Sequence, residues 1–144
     1  MMLEYHVYDV FTDRPFAGNP LAVVMGADAL STRQMQTIAR EFNLSETIFV
    51  MAPRDPAHRA RVRIFLPLAE IPFAGHPTIG CALHLSAGDG DLVLEEEAGP
   101  VPVTIRDGLA EFEVLLADPA GFVWRVLKAF KAENAFEGKI FERG

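Results

Sequence analysis

The 144-residue sequence predicts an α+β domain: a strongly curved, mostly antiparallel sheet wrapped around a central buried helix. Three observations carry this expectation. Seven short runs, β-branched or alternating, are joined by short connections, which favour antiparallel neighbours. Only two stretches before residue 118 have helical character. One of these, Thr78–Leu85, is apolar nearly all round, and a helix without a polar stripe is an enclosed one.

The elements follow in chain order. LEYHVYDVF (Leu3–Phe11) alternates, with Leu3, Tyr5 and Val7 on one side and His6, Tyr8 and Val10 on the other, and reads as a strand. TDRPFAGNP (Thr12–Pro20) is a loop thick with turn residues. LAVVM (Leu21–Met25) is a short apolar run and reads as a buried strand. Ser31 and Gln34 form an S-x-x-Q capping box. It opens a helix with Met35, Ile38, Ala39 and Phe42 at helical spacing, ending near Asn43. TIFVMA (Thr47–Ala52) is a second core strand. RARVRIFLP (Arg59–Pro67) alternates Arg59, Arg61 and Arg63 against Ala60, Val62, Ile64 and Leu66, as a strand solvated on one face does.

In AEIPFAGHPTIGCALHLSAG, Pro77 fits the first helical position, where its missing N–H costs nothing, and Gly88 marks the helix end. DLVLEEE (Asp91–Glu97) is a strand whose run of acids, Glu95–Glu97, is expected to face water. VPVTIRDGLAEFEV (Val101–Val114) is a hairpin signal with a type I′ turn at Asp107–Gly108. Beyond Asp118–Pro119 the pattern changes. Phe122, Val123, Val126, Leu127 and Phe130 recur at helical spacing and predict an amphipathic helix followed by a polar tail. The expected organisation is therefore one domain over residues 1–118 and a divergent helical tail over 119–144.

Composition narrows the function. Thirteen Lys and Arg against twenty Asp and Glu give a net charge of −7, which disfavours nucleic acid and anionic membranes as partners. The arginine-rich segment 54–63 is interleaved with apolar residues and reads as a strand face. No apolar run approaches the roughly 20 residues of a membrane span. The acidic, alternating N-terminus is not a signal peptide. A cytoplasmic location is expected. Cys81 is the only cysteine, so an internal disulfide is impossible and a cysteine-based metal cluster is not expected. His76 and His84 are about 12 Å apart along a helix, too far to share an ion, so no metal site is expected.

The candidate reacting residues stand near a repeated hexapeptide, PFAGNP (Pro15–Pro20) and PFAGHP (Pro72–Pro77). His76 lies at the start of the buried helix, where unpaired N–H groups and the dipole favour anions. Gly75 allows close approach of a ligand to the backbone. His76 is either a ligand-facing residue or a turn residue. Glu46, in NLSETIF, enters a core strand. It is either a solvated loop carboxylate, which local sequence favours, or a partly buried one suited to general base work. Asn19 could bond a substrate or brace its own turn, and turn chemistry is favoured. Cys81 reads as a small core hydrophobe, with an activated thiol as the alternative.

Taken together, FTDRPFAGNPLAVV (Phe11–Val24), EFNLSETIFV (Glu41–Val50), RIFLPLAEIPFAGHPTIGCALHL (Arg63–Leu85) and AGPVPVTIRDGLAEFEV (Ala98–Val114) resemble the N-terminal half of the phenazine-biosynthesis PhzF-like family. That family shares the diaminopimelate epimerase fold. The resemblance spans roughly residues 2–118. It implies a cofactor-free isomerase acting on a small carboxylated metabolite, of which isomerisation of trans-2,3-dihydro-3-hydroxyanthranilate is the best-known case. It places the catalytic glutamate at Glu46 and an active-site histidine and glycine at His76 and Gly75. Glu46 would move a proton between carbons, while His76, Gly75, Pro77, Thr78 and Asn19 would hold the substrate. Family members are built from two similar domains with the site between them. The resemblance therefore implies that a second copy, as a homodimer, or a partner completes the cleft. The alternative is a non-catalytic or truncated half-domain that binds small carboxylates or acts as an interaction module.

Overall fold

The structure is a computed structural model that describes residues 1–114, 124–129 and 133–141, with side chains through residue 112. β1 (Met2–Val10) and β2 (Asn19–Val24) pair antiparallel across the Thr12–Gly18 loop. α1 (Thr32–Phe42) then returns the chain to β3 (Glu46–Met51), which lies parallel to β2. β4 (Ala60–Phe65) is antiparallel to β3, and the two-residue β5 (Glu70–Ile71) pairs with it. α2 (Gly75–Leu85) crosses over to β6 (Gly90–Glu96), parallel to β4. β7 (Gly99–Arg106) and β8 (Leu109–Val114) complete a meander.

The two parallel steps decide where the helices go. Both move the chain the same way across the sheet, but β2 and β3 run opposite to β4 and β6. The right-handed rule for such crossovers then puts the two helices on opposite faces. The packing agrees. Ile79, Cys81 and Ala82 of α2 join Val10, Leu21, Ile48, Val62 and Phe112 in one core. Met35 and Ala39 of α1 join Val24, Phe49, Met51 and Phe65 in the other. Gly80 lets α2 touch the sheet: a Cβ there would lie 2.5 Å from a Leu21 methyl and 2.8 Å from one of Val10.

Local chemistry accounts for the element ends. Ser31 and Gln34 form the reciprocal capping box of α1, and Asn43 closes that helix at φ 52°. Asp107 (φ 52°) and Gly108 (φ 74°) both take the left-handed conformation that a I′ turn requires. Arg63 holds Glu70 through two 2.7 Å bonds and donates to Thr32 Oγ1, so this arginine ties β4, β5 and α1 together.

Three expectations are corrected. α2 begins at Gly75, so Pro77 occupies its third position rather than its first; the first three N–H groups of a helix are all unpaired, so proline is tolerated there equally. The helix ends at Leu85, with Ser86 rather than Gly88 at its cap. Residues expected as a helix near the C-terminus form strands: β9 (Trp124–Ala129) pairs with β8, and β10 (Glu133–Phe141) pairs with β1. A six-residue segment with four apolar and two basic residues fits either period, and here the open edge of β8 supplies backbone partners that a helix would leave unpaired. Phe122, Val123 and Phe130 of that expected helix lie outside the described residues. Ten strands of the described residues thus form one mixed sheet, with β2/β3 and β4/β6 its parallel pairs. No helix among the described residues is long and apolar enough to cross a membrane.

Candidate active site

Three element starts meet at one end of the sheet. β2 begins at Asn19, β3 begins at Glu46 beside it, and His76 is the second residue of α2. The parallel register sets Leu21 opposite Glu46, so Asn19 stands just outside the start of β3. His76 is 9 % exposed. Its Nδ1 is 2.8 Å from Glu46 Oε2, and its Nε2 is 2.9 Å from the Asn19 carbonyl oxygen. Glu46 is partly buried, its side chain 18 % exposed.

Hydrogen-bond accounting fixes the proton count. A backbone carbonyl only accepts, so Nε2 carries the hydrogen and donates to Asn19. The Nδ1···Oε2 contact then needs one proton of its own. That proton sits either on Nδ1, giving imidazolium and carboxylate, or on Glu46, giving neutral imidazole and carboxylic acid. Asn19 is thus used through its main chain, and its side-chain Oδ1 accepts from Ser45 Oγ at 3.4 Å. Both ring nitrogens of His76 are engaged inside the domain, which leaves Glu46 as the group of the pair with an oxygen to spare.

The helix start is a second feature. α2 has no side-chain cap, and Pro77 has no N–H. The Thr78 N–H bonds to Ala74 O at 3.3 Å. Gly75 and His76 are therefore the residues whose N–H groups the first turn leaves without a helical partner. Thr78 is fully buried, and its hydroxyl turns inward to Ala74 O and Glu96. Pro77 is buried as well.

The loop that carries the first hexapeptide lies against this site. Asp9 is buried and accepts the Phe16 N–H, which holds the turn. Phe11 and Phe16 both have positive φ, 65° and 63°, unusual for large side chains. Phe16 is 82 % exposed and Phe11 42 %, with the Phe11 ring 5.9 Å from that of His76. Sequence reasoning missed Phe11. Its signal lay at the end of the first strand, where an aromatic residue directly precedes a turn-rich loop.

It also misplaced Glu96. That residue was expected to face water with Glu95 and Glu97, yet it is 7 % exposed. Burial pushes its carboxyl up to about 7, against the opposing pull of the Thr78 hydroxyl. Glu95, on the alternate face, accepts the N–H groups of Asp55 and Arg54 and contacts His58 Nδ1 at 3.0 Å. Those bonds draw its carboxyl down to about 2. Cys81 is wholly buried, and burial together with the nearby Glu96 raises its thiol far above the usual range. It is a core residue.

The phenazine biosynthesis-like protein family matches residues 8–125, most of the chain. The chain belongs to this family. Members similar to it include an uncharacterized isomerase of Mesorhizobium japonicum, 54 % identical over 121 residues, covering 79 % of this chain and 40 % of that protein. A trans-2,3-dihydro-3-hydroxyanthranilate isomerase of Pseudomonas aeruginosa is 48 % identical over 107 residues, covering 73 % of this chain and 38 % of that one. Among solved structures, a PhzF family protein of Enterococcus faecalis superposes with a TM-score of 0.71 at 32 % identity, covering 78 % of this chain and 44 % of that one. This phenazine biosynthesis-like chain thus spans about two fifths of the curated relatives it matches. These two curated relatives are isomerases by name, and the sheet and helices of this chain have the α+β architecture of PhzF family proteins.

Proposed function

We propose that the domain works as a proton-shifting isomerase of a small carboxylated metabolite. Glu46 is the acid/base group in this reading and His76 its partner. One observation carries it: His76 Nδ1 lies 2.8 Å from Glu46 Oε2, a contact that needs one proton, while Nε2 is held by the Asn19 carbonyl. As carboxylate, Glu46 can take a proton from one carbon, the pair becoming positive as the substrate becomes negative, and return it to another carbon, which restores both charges. That is what general acid–base catalysis by a carboxylate asks of its surroundings. The N–H groups of Gly75 and His76 suit a substrate carboxylate. Phe11 suits the flat face of a ring, and the trans-2,3-dihydro-3-hydroxyanthranilate of the Pseudomonas aeruginosa relative fits that description. A second copy of the chain, or a partner domain, closes the cleft over the exposed Phe11 and Phe16.

A second reading is a carboxylate-binding module without turnover. The engagement of both His76 nitrogens inside the domain favours it, since it leaves one reacting group. The two readings part in D₂O. Deuterium entering the substrate carbon, and lost in Glu46→Gln, supports the isomerase. NMR shifts at Gly75–Thr78 on adding anthranilate, with no deuterium entering, support the binding module. Light scattering addresses the dimer: exchange by a strict monomer would remove the need for a second copy.

A further inference from the structure

The face of α2 turned away from Glu46 holds a second proton-bearing pair. Thr78 Oγ1 lies 2.7 Å from Ala74 O and in short contact with Glu96 Oε1. Thr78 has one hydroxyl hydrogen. If Glu96 were a carboxylate, both neighbours would be acceptors, and one of the two short contacts would have no proton in it. Glu96 Oε2 is buried with no hydrogen-bond partner among the described residues. A charge shared with that oxygen would be uncompensated. Both facts are satisfied by a carboxylic acid. Glu96 then donates to Thr78, and Thr78 donates to Ala74 O.

Ala74 is the cap residue of α2, directly before Gly75 and His76. Its carbonyl receives both the hydroxyl and the N–H of Thr78. The chain Glu96–Thr78–Ala74 therefore clamps the turn that aims His76 at Glu46. We propose that Glu96, as a neutral carboxylic acid, is a positioning residue that holds the first turn of α2 and thereby sets the contact between His76 and Glu46. This deepens the isomerase reading and rests on it for its functional meaning. The raised carboxyl of Glu96 supports it. The groups facing Glu96 are Thr78 and, one turn further along α2, Cys81, whose thiol feels its charge. Glu95 precedes it on the alternate face of β6, and Glu97 follows just past the end of that strand.

The test reads His76 directly in the full chain and needs no turnover. Side-chain ¹⁵N spectra of histidine and carboxyl ¹³C spectra of glutamate are recorded for the wild type, Glu96→Gln, Glu96→Leu, Thr78→Val and Thr78→Ser. The Glu96 carboxyl is expected at its protonated position at pH 6. Glu96→Gln and Thr78→Ser keep a donor and an acceptor in place, and should keep the wild-type Nδ1 and Nε2 signals of His76. Glu96→Leu and Thr78→Val remove the link and should lose the signal of Nδ1 bonded to Glu46. Unchanged His76 signals in a folded Glu96→Leu or Thr78→Val protein overturn the proposal. So does an ionised Glu96 in the wild type at pH 6, even if the leucine variant fails to fold. Either result leaves the isomerase reading intact. Responsive His76 signals without deuterium exchange in the wild type would instead overturn that reading and leave the clamp standing.

Discussion

Replacing Glu96 by Gln should change how stability depends on pH, and the size of the change follows from the structure. Burial moves the carboxyl from 4.5 to about 7 in the folded protein. The unfolded chain gives up this proton near 4.5, while the folded chain keeps it until about 7. The folded state therefore binds more protons in that window, and stability falls as pH rises through it. The contribution is complete below about 4.5 and lost above about 7. That displacement, at about 1.4 kcal/mol per pH unit, corresponds to at most roughly 3.5 kcal/mol. Gln has the same shape, stays neutral and can donate to Thr78. The stability of Glu96→Gln relative to wild type should thus rise by about 2–3 kcal/mol between pH 4 and pH 8. Urea denaturation followed by far-ultraviolet circular dichroism at both pH values reads this difference, and comparing the two proteins cancels groups that the substitution leaves untouched. A difference flat to within about 0.5 kcal/mol would refute the neutral, buried carboxyl.

Other expectations are simpler. Ser31→Ala removes the capping box of α1 and should cost about 1 kcal/mol in denaturation midpoint analysis, whereas Ser31→Asp should cost little. Gly80→Ala drives a methyl into Leu21 and Val10 and should destabilise by about 1–3 kcal/mol, measured in the same way. Cys81 should resist thiol reagents in the native protein and react only on unfolding, because its thiol is buried and its pKa is raised. Glu95 behaves oppositely to Glu96. Its stabilisation should be present above 4.5 and disappear as pH falls toward 2, a loss absent from Glu95→Gln.

Features governed by neighbours in sequence were legible. The capping box at Ser31 and Gln34 and the turn at Asp107–Gly108 each rest on rules spanning four residues or fewer. The enclosure of α2 was legible because an apolar surface all round leaves no face for water. The six residues Trp124–Ala129 were misread because so short a run satisfies both periods, and a sheet edge made elsewhere decided between them. Glu96 was misread for a similar reason: three acids in a row look solvated, and only the crossover of α2 brings Thr78 over one of them. The Glu46–His76 contact joins residues 30 apart, and His76 reaches Asn19 across 57. Local patterns nominated these residues without bringing them together, and for Glu46 they favoured a solvated role. The resemblance to a family placed Glu46 and His76 in one site; physically, the parallel β2–α1–β3 step sets Glu46 beside Asn19, and α2, packed on those strands, brings His76 to both. The two hexapeptides prove to be adjacent walls of this end of the domain: the Asn copy supplies a carbonyl, and the His copy supplies the ring that donates to it.

The most direct test of the Glu46–His76 proton pair is the rate at which deuterium from D₂O enters the proposed substrate, in the wild type and in Glu46→Gln. Binding is monitored in parallel by the amide signals of Gly75–Thr78. The pair predicts wild-type exchange that falls by at least about 100-fold in Glu46→Gln, the low end of what a positioned acid/base group supplies, with the carboxylate-induced amide shifts retained. Exchange that survives the substitution at the wild-type rate would contradict it.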